Sequence, residues 1–205
     1  MKDIVVNKIL NYIKNNKKIS KQDEEVIIYG LESLYLFISK MIIISIIAII
    51  LGIFKEFIIF FIFFNIIRTF AFGLHANKSY ICLIVSIIFF IGLPYLSTII
   101  VIPKYHKIII GILLISCILK NSPADTLKRP IVNKKRRLKL KIYSTIISII
   151  YVIISFFTTN FVSNCLLFSL LLEAIFISPL VYKIFKLPYN NYLTYLKEEE
   201  ENVFS

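Results

Sequence analysis

Long runs of isoleucine, leucine and phenylalanine constrain this chain more than any other feature. Residues 41–54 and 57–67 lack the polar stripe of a helix at a protein surface, so lipid or other helices must surround them. Hydrophobic residues make up 58% of the 205 residues, and charged residues make up 18%. In soluble domains about half of the residues are apolar and about a quarter are charged. The chain is therefore predicted to be an all-α, polytopic integral membrane protein, with residues 1–205 forming one membrane-embedded domain.

Six apolar segments are separated by polar turns and are predicted to be transmembrane or re-entrant helices. A helix needs about 20 apolar residues to cross a bilayer. The fourth segment is shorter than this, which leaves a re-entrant element, and a four-span arrangement of the whole chain, as alternatives. Pro94 is expected to kink the third segment. An interfacial lead-in from residue 26 is predicted to precede the first segment. In chain order, the six segments cover residues 36–54, 57–74, 79–102, 108–119, 142–157 and 161–182.

Three regions outside these segments are polar. Residues 1–25 carry apolar positions at helical spacing among lysines, which predicts an amphipathic helix on the membrane surface, with a solvated tail as the alternative. The same residues lack the apolar core of a cleavable signal peptide. Residues 120–141 are predicted to form a basic loop, and residues 183–205 a tail whose glutamate run at 198–201 is expected to be solvated.

The positive charges predict the orientation in the membrane. Most of the 24 Lys and Arg residues lie in the N-terminal region, the turn after the second segment, the basic loop and the tail. By the positive-inside rule, both termini and these turns are predicted to face the cytoplasm of a cell membrane. The net charge of +12 is assigned to topology and anionic lipids, not to nucleic acid, since the basic regions lack a recognised nucleic-acid-binding motif.

The cysteines and histidines predict neither a disulfide framework nor a metal site. The chain has three cysteines, Cys82, Cys117 and Cys165, and an odd number does not suit a disulfide framework. Cys117 and Cys165 also lie inside apolar segments. His75 and His106 are predicted to lie on opposite membrane faces, so they cannot share a metal ion, and there is no Cys-x-x-Cys motif. We expect no metal and no other cofactor.

His75 and Cys82 lie at the junction of the second and third segments and form a candidate catalytic pair. On one straight helix they would be about 10 Å apart along the axis, too far for a base and its nucleophile. The turn-prone residues 77–79 allow the chain to reverse between them. Ser79 is predicted to cap the next helix, so that Cys82 lies in its first turn, where the helix dipole favours the thiolate. The alternative is a cysteine that only packs and an interfacial histidine with no chemical role.

Two blocks of sequence around these residues carry a family resemblance. The first reads Arg68-x4-Gly73-x-His75-Ala76-x5-Cys82, and the second reads Ser122-Pro-Ala-Asp-Thr-Leu-Lys-Arg-Pro-Ile131 followed by Asn133-Lys-Lys-Arg-Arg137. Together with the chain length and the six apolar segments, they resemble the AgrB family of integral-membrane cysteine endopeptidases from bacterial quorum-sensing systems. The family often has two glycines before the histidine region, where this chain has Phe72-Gly73.

The resemblance implies a substrate and a mechanism. The substrate would be an AgrD-type propeptide with an amphipathic N-terminal helix, a central signal segment and an acidic C-terminal tail. Cys82 would attack the peptide carbonyl at the end of the signal segment while His75 takes the thiol proton. The tail would leave, and an internal thiol or hydroxyl would attack the acyl-thioester to give a thiolactone or lactone. The resemblance also implies a homodimer in a bacterial cell membrane.

Further residues are candidates for holding the propeptide or supporting the catalytic pair. Positive charges of the basic loop can hold an acidic tail and orient the cleavage point, although topology and lipid anchoring also explain them. Arg68 is expected either to extend to the membrane surface or to face the helix bundle. It could contact the peptide or help to polarise the site. Asp125 could orient His75 as a third group, with Asn65 as an alternative. The candidate substrate-binding residues are Arg68, Gly73, Asp125, Lys128, Arg129, Lys134, Lys135, Arg136 and Arg137.

Two functions of other classes compete with the peptidase. A peptide transporter would use the same spans without Cys82, but the membrane segments hold few charged groups and no clear sequence halves. A membrane scaffold would use the basic loop for a partner and leave the cysteine inert. A membrane metalloprotease is not favoured, because the His-Glu-x-x-His motif is absent.

Overall fold

The computed structural model describes residues 2–16, 20–74, 79–126 and 130–196. Within these residues the chain forms helices and no strand, which confirms the all-α prediction. The helices are α1 (Lys2–Asn16), α2 (Lys21–Ile50), α3 (Phe54–Ala71), α4 (Ser79–Ile99), α5 (Lys104–Asn121), α6 (Lys134–Phe157), α7 (Asn160–Ile177) and α8 (Pro179–Ile184).

The chain divides into two compact units, Met1–Leu51 and Gly52–Ser205. In the first, α1 packs against α2. Ser20 caps α2 by accepting a hydrogen bond from the backbone N–H of Asp23 at 3.1 Å, and Lys14 forms an ion pair with Glu24 at 2.6 Å. That the whole chain forms one domain stays a prediction.

Helix α1 has two apolar sides. Val6 and Leu10 are buried, whereas Ile9 and Tyr12 of the predicted stripe are exposed. An exposed apolar stripe beside lysines is typical of a helix at a membrane surface. The residues of the predicted lead-in belong to α2, which runs unbroken from residue 21, and the part of α2 that is long and apolar enough to cross a membrane begins at Gly30. Its glycine, Gly30, costs an exposed helix only about 1 kcal/mol relative to alanine and does not end it.

Helix α7 forms the centre of the second unit. It packs against α3, α4, α5 and α6, and eleven of its residues are buried. Small side chains such as Ser163, Ser169 and Ala174 allow neighbouring helices to approach it closely. Phenylalanines fill the interface of α3, α4 and α7; Phe64, for example, packs edge-on against Phe90 and Phe176 at ring-centroid distances of 5.3 and 6.0 Å.

Some buried polar groups pair with one another between the helices of this unit. The side-chain amide of Asn164 in α7 donates to the carbonyls of Ser97 and Ile100 at the end of α4, at 3.1 and 2.6 Å. The hydroxyl of Tyr151 in α6 donates to the carbonyl of Phe63 in α3 at 3.0 Å. Such pairing is required where water cannot compensate backbone groups.

Four helices of the described part are long and apolar enough to cross a membrane: residues Gly30–Ile50, Tyr80–Ile99, Lys134–Phe157 and Asn160–Ile177. The chain is therefore a membrane protein. The predicted second and fourth spans appear as α3 and α5, each 18 residues long, or about 27 Å. Each carries three charged residues, which is why length and composition alone do not identify them as spans, and the number six stays a prediction.

Three predicted boundaries are wrong. The first segment was expected to end at residue 54, but α2 ends at Ile50 and Phe54 already begins α3. The sixth segment was expected to continue to residue 182, but the chain breaks at Ser178, whose side chain accepts from the N–H of Leu180 and starts α8 with Pro179 in its first turn. The basic loop was expected over residues 120–141, but α6 already begins at Lys134, so the connection is residues 122–133. The loop is shorter because Asn133 caps α6 by accepting from the N–H of Arg136 at 3.0 Å.

Candidate functional site

The candidate residues gather at one end of the second unit. Because successive helices run in alternating directions, α3, α5 and α7 end there, and α4 and α6 begin there. The connections after α3, α5 and α7 meet at this end, and hydrogen bonds join all three.

The segment after α3 is extended and held on both sides. Phe72 pairs with Ala124 in an isolated parallel bridge. The N–H of Gly73 donates to the carbonyl of Ala124 at 2.8 Å, and the N–H of Ala124 donates to the carbonyl of Ala71 at 3.0 Å. The N–H of Leu74 donates to the carbonyl of Phe176 in α7 at 3.0 Å. The chain that leads to position 75 is therefore fixed through its last described residue.

Two consecutive residues in this segment have positive φ angles: 61° at Phe72 and 116° at Gly73. L-amino acids rarely adopt such angles, and glycine adopts them freely. Gly73 is also needed for space, since a Cβ there would collide with the Arg68 guanidinium and lie 3.0 Å from the carbonyl oxygen of Phe176. Both positions suit glycine, and this chain holds Phe72 under strain.

Arg68 faces the bundle, so the inward-facing interpretation is confirmed. One terminal nitrogen, Nη2, donates to the carbonyl of Leu74 at 2.7 Å. The other, Nη1, lies 3.4 Å from the Glu173 carboxylate. The guanidinium also lies over the Phe176 ring at 5.2 Å from its centroid. Arg68 thus ties α3, the extended segment and α7 together.

Glu173 is the functional candidate that the sequence analysis missed. Its side chain is fully buried in α7, and it pairs with an Arg68 side chain that is only 15% exposed. The available signal was a single acidic residue in an otherwise apolar segment, since ionisable groups in membrane segments are costly and usually face a partner.

Cys82 is the fourth residue of α4, which begins at Ser79 as predicted. It is partly buried and has a free thiol. Cys117 and Cys165 are also free thiols, and Cys165 is fully buried. His75 lies outside the described residues. Of the candidate pair, the structure describes Cys82, and it describes the hydrogen-bonded chain up to Leu74, one residue before the histidine.

Asp125 is buried at the centre of the loop connections, with an exposed fraction of 2%. Its carboxylate accepts hydrogen bonds from the backbone N–H groups of Asn191 and Tyr192 at 3.2 and 2.9 Å. It also forms an ion pair with Arg137 at 3.6 Å. Within the described residues, the Asp125 carboxylate therefore joins the connection after α7 to the start of α6. Asn65 donates to the carbonyl of Phe61 in its own helix at 2.7 Å.

A basic groove of about 510 Å³ opens beside Asp125. The guanidinium of Arg137 lies over the Tyr192 ring at 3.5 Å from its centroid, and burial raises the pKa of Tyr189 nearby. We call these residues the basic groove: Lys120, Asn121, Ser122, Pro123, Arg137, Leu138, Lys141, Pro179, Tyr189, Asn190 and Tyr192. Its cations and aromatic rings suit an acidic, partly apolar ligand.

The other predicted binding residues fall around the start of α6. Lys134, Lys135 and Arg136 are exposed in its first turn, where the helix dipole disfavours positive charge and favours an anion. Lys128 and Arg129 lie outside the described residues. Among the residues that the structure describes, no group of three or more His, Cys, Asp or Glu side chains could hold a metal ion.

Comparison of the sequence with known proteins identifies a family. The family model for accessory gene regulator B matches residues 6–177. An AgrB-like protein of Clostridium acetobutylicum is 30% identical over 183 residues, covering 88% of each chain. The accessory gene regulator protein B of Staphylococcus aureus strain MRSA252 is 35% identical over 154 residues, covering 75% of this chain and 81% of its own. That of Staphylococcus epidermidis is 33% identical over 159 residues, covering 75% and 78%.

No solved structure matches this chain. The family match extends from α1 to the end of α7 and includes every element that forms the candidate site except the 178–196 connection. The chain therefore belongs to the accessory gene regulator B (AgrB) family.

Proposed function

We propose that this chain is a membrane cysteine endopeptidase that removes the acidic C-terminal tail of an AgrD-type quorum-sensing propeptide and promotes cyclisation of the signal segment. The observation that carries the proposal is the junction of α3 and α4: a free thiol in the first turn of α4 and a rigid segment that ends one residue before a histidine. A helix N-terminus and a neighbouring histidine are both recognised means of activating a cysteine.

In the proposed reaction, His75 takes the proton of the Cys82 thiol as the sulfur attacks the carbonyl carbon at the end of the signal segment. The peptide C–N bond breaks, His75 returns its proton to the leaving amine, and an acyl-thioester remains on Cys82. An internal thiol or hydroxyl of the peptide then attacks this thioester, closing the ring and returning the Cys82 thiol. Exclusion of water favours cyclisation over hydrolysis.

The basic groove supports the choice of an acidic tail as the ligand. Lys120 and Lys141 line it beside Arg137, at the end of the bundle where α4 begins. Lys134, Lys135 and Arg136 extend the positive surface, and Lys128 and Arg129 are proposed to add to it. Binding of the tail here would hold the cleavage point near the thiol and lower the entropic cost of attack.

The proposed setting is the bacterial cell membrane, with both termini and the thiol on the cytoplasmic side, as the distribution of positive charge predicts. We propose that membrane lipids contact the exposed apolar faces of the helices and that the protein forms a homodimer, as the family resemblance implies. The propeptide is the only substrate that we propose, and we propose no nucleic-acid partner.

Co-expression with an AgrD-type propeptide that carries an N-terminal tag tests the proposal. We expect wild type to release the C-terminal tail, and Cys82→Ala and His75→Ala to lose this cleavage. Cys117→Ala is the matched control, since it removes another partly buried thiol and is expected to keep activity. If Cys82→Ala still cleaves the propeptide, the peptidase proposal fails, and a transporter or scaffold with an inert cysteine replaces it.

A further inference from the structure

Burial of a carboxylate inside an apolar helix is costly, and such a group usually has a specific role. Glu173 lies in α7 with no exposed surface, 105 positions along the chain from its partner Arg68. Buried ion pairs rarely add stability, because desolvation of the two charges offsets their attraction, and apolar side chains of similar size often do better. The pair therefore suggests a task other than stability.

The partner of Glu173 also holds the chain that precedes the histidine. Arg68 reaches Glu173 with Nη1 at 3.4 Å and the Leu74 carbonyl with Nη2 at 2.7 Å. A guanidinium is planar and donates in a fixed fork. Its interaction with a buried carboxylate therefore sets the direction in which the second nitrogen donates. Gly73 leaves the space that the guanidinium occupies, since a Cβ there would collide with it.

The Leu74 carbonyl belongs to the planar peptide group that joins Leu74 to the next residue of the chain. Its oxygen accepts from Arg68, while the Leu74 N–H donates to Phe176 of α7. Helix α7 thus holds Leu74 twice, once directly and once through the Glu173–Arg68 pair. Both bonds restrict the backbone at the point where it enters the proposed catalytic turn.

We propose that Glu173 is a positioning residue for the proposed reaction: it orients Arg68, which fixes the Leu74 carbonyl and thereby the backbone that presents His75 to Cys82. The inference rests on the proposed function and adds to it a residue from the far end of the sequence. Glu173 does not touch the propeptide, so its removal slows the chemical step and leaves binding of the substrate nearly unchanged.

Purified variants in detergent, assayed with a synthetic propeptide, test this role. We expect Glu173→Gln to lower kcat about 10- to 100-fold with KM within about threefold of wild type, as for a small misplacement of a catalytic group. Glu173→Asp keeps the charge, so we expect kcat between those of wild type and Glu173→Gln. Equal kcat in wild type and Glu173→Gln, or a change in KM alone, would overturn the inference.

A double variant separates positioning from stability. Arg68→Gln with Glu173→Gln leaves no unpaired charge, so we expect it to recover the thermal stability that Glu173→Gln loses. Its kcat is expected to stay low, because the Leu74 carbonyl still lacks the guanidinium. Recovery of kcat together with stability would mean that Glu173 is only structural. Asn164→Ala, in the same helix but at the opposite end, is the control that loses buried hydrogen bonds and keeps kcat.

The rate at which iodoacetamide alkylates Cys82, mapped by mass spectrometry, provides a readout without substrate. We expect His75→Ala to slow alkylation in the wild-type background and to have much less effect when Glu173→Gln is present. If His75→Ala and Cys82→Ala both keep cleavage, the proposed function fails, and the inference fails with it. If both abolish cleavage while Glu173→Gln keeps wild-type kcat and alkylation, the inference alone fails.

Discussion

Replacement of Gly73 by alanine tests the close packing at the junction of α3 and α4. The new Cβ would collide with the Arg68 guanidinium and lie 3.0 Å from the Phe176 carbonyl oxygen and 3.2 Å from a methyl group of Ile177. The φ angle of 116° costs a non-glycine residue about 1–3 kcal/mol, and overpacking costs about 1–3 kcal/mol more. We therefore expect Gly73→Ala to lower the free energy of unfolding by about 2–6 kcal/mol.

Thermal unfolding in detergent, followed by circular dichroism, measures this loss, and propeptide cleavage measures its effect on function. Gly92→Ala in α4 is the matched control, because a Cβ there meets nothing within 4 Å. In a helix interior this change is expected to stabilise by about 0.5–1 kcal/mol. If Gly73→Ala is as stable and active as Gly92→Ala, the described packing of Arg68 against Gly73 is wrong.

Three more changes follow from the same site. Phe72→Gly is expected to be more stable than Phe72→Ala by about 1 kcal/mol, the reverse of their usual order, because of the positive φ angle; equal melting temperatures would contradict the strain. Asp125→Asn is expected to destabilise by about 3 kcal/mol, because Arg137 and three backbone N–H groups lose a charged partner, and a denaturation curve unchanged from wild type would refute this. Lys141→Glu in the basic groove is expected to raise KM for an acidic propeptide, most strongly at low salt, whereas Lys104→Glu at the start of α5 should not; equal effects would show that only net charge matters.

Local patterns in the sequence predicted much of the fold. The apolar segments appear as helices, and α4 starts at Ser79 with Cys82 in its first turn, because turn-prone residues that bound an apolar run are a local signal. That Ser79 caps α4 stays a prediction. The break at Ser178 was missed, since the apolar pattern continues across it and only the following proline marks a new helix start.

Contacts between distant positions could not be predicted from one sequence. Periodicity shows that Glu173 and Arg68 each lie in an apolar helix, but not that α3 and α7 bring them together. Two of the partners of the Asp125 carboxylate are backbone N–H groups of residues 191 and 192, which lie far along the chain in a connection with no motif of its own. The strain at Phe72 depends on a φ angle that follows from pairing with the loop after α5.

The central claim is that Cys82 carries the propeptide as a thioester, and the most direct test is the intact mass of the purified protein after incubation with propeptide. We predict an added mass equal to that of the propeptide without its tail, taken as the free acid, less one water, mapped to Cys82 and removed by hydroxylamine, with no such adduct in Cys82→Ala. An adduct on Cys117 or Cys165, or tail release by Cys82→Ala, would contradict the account.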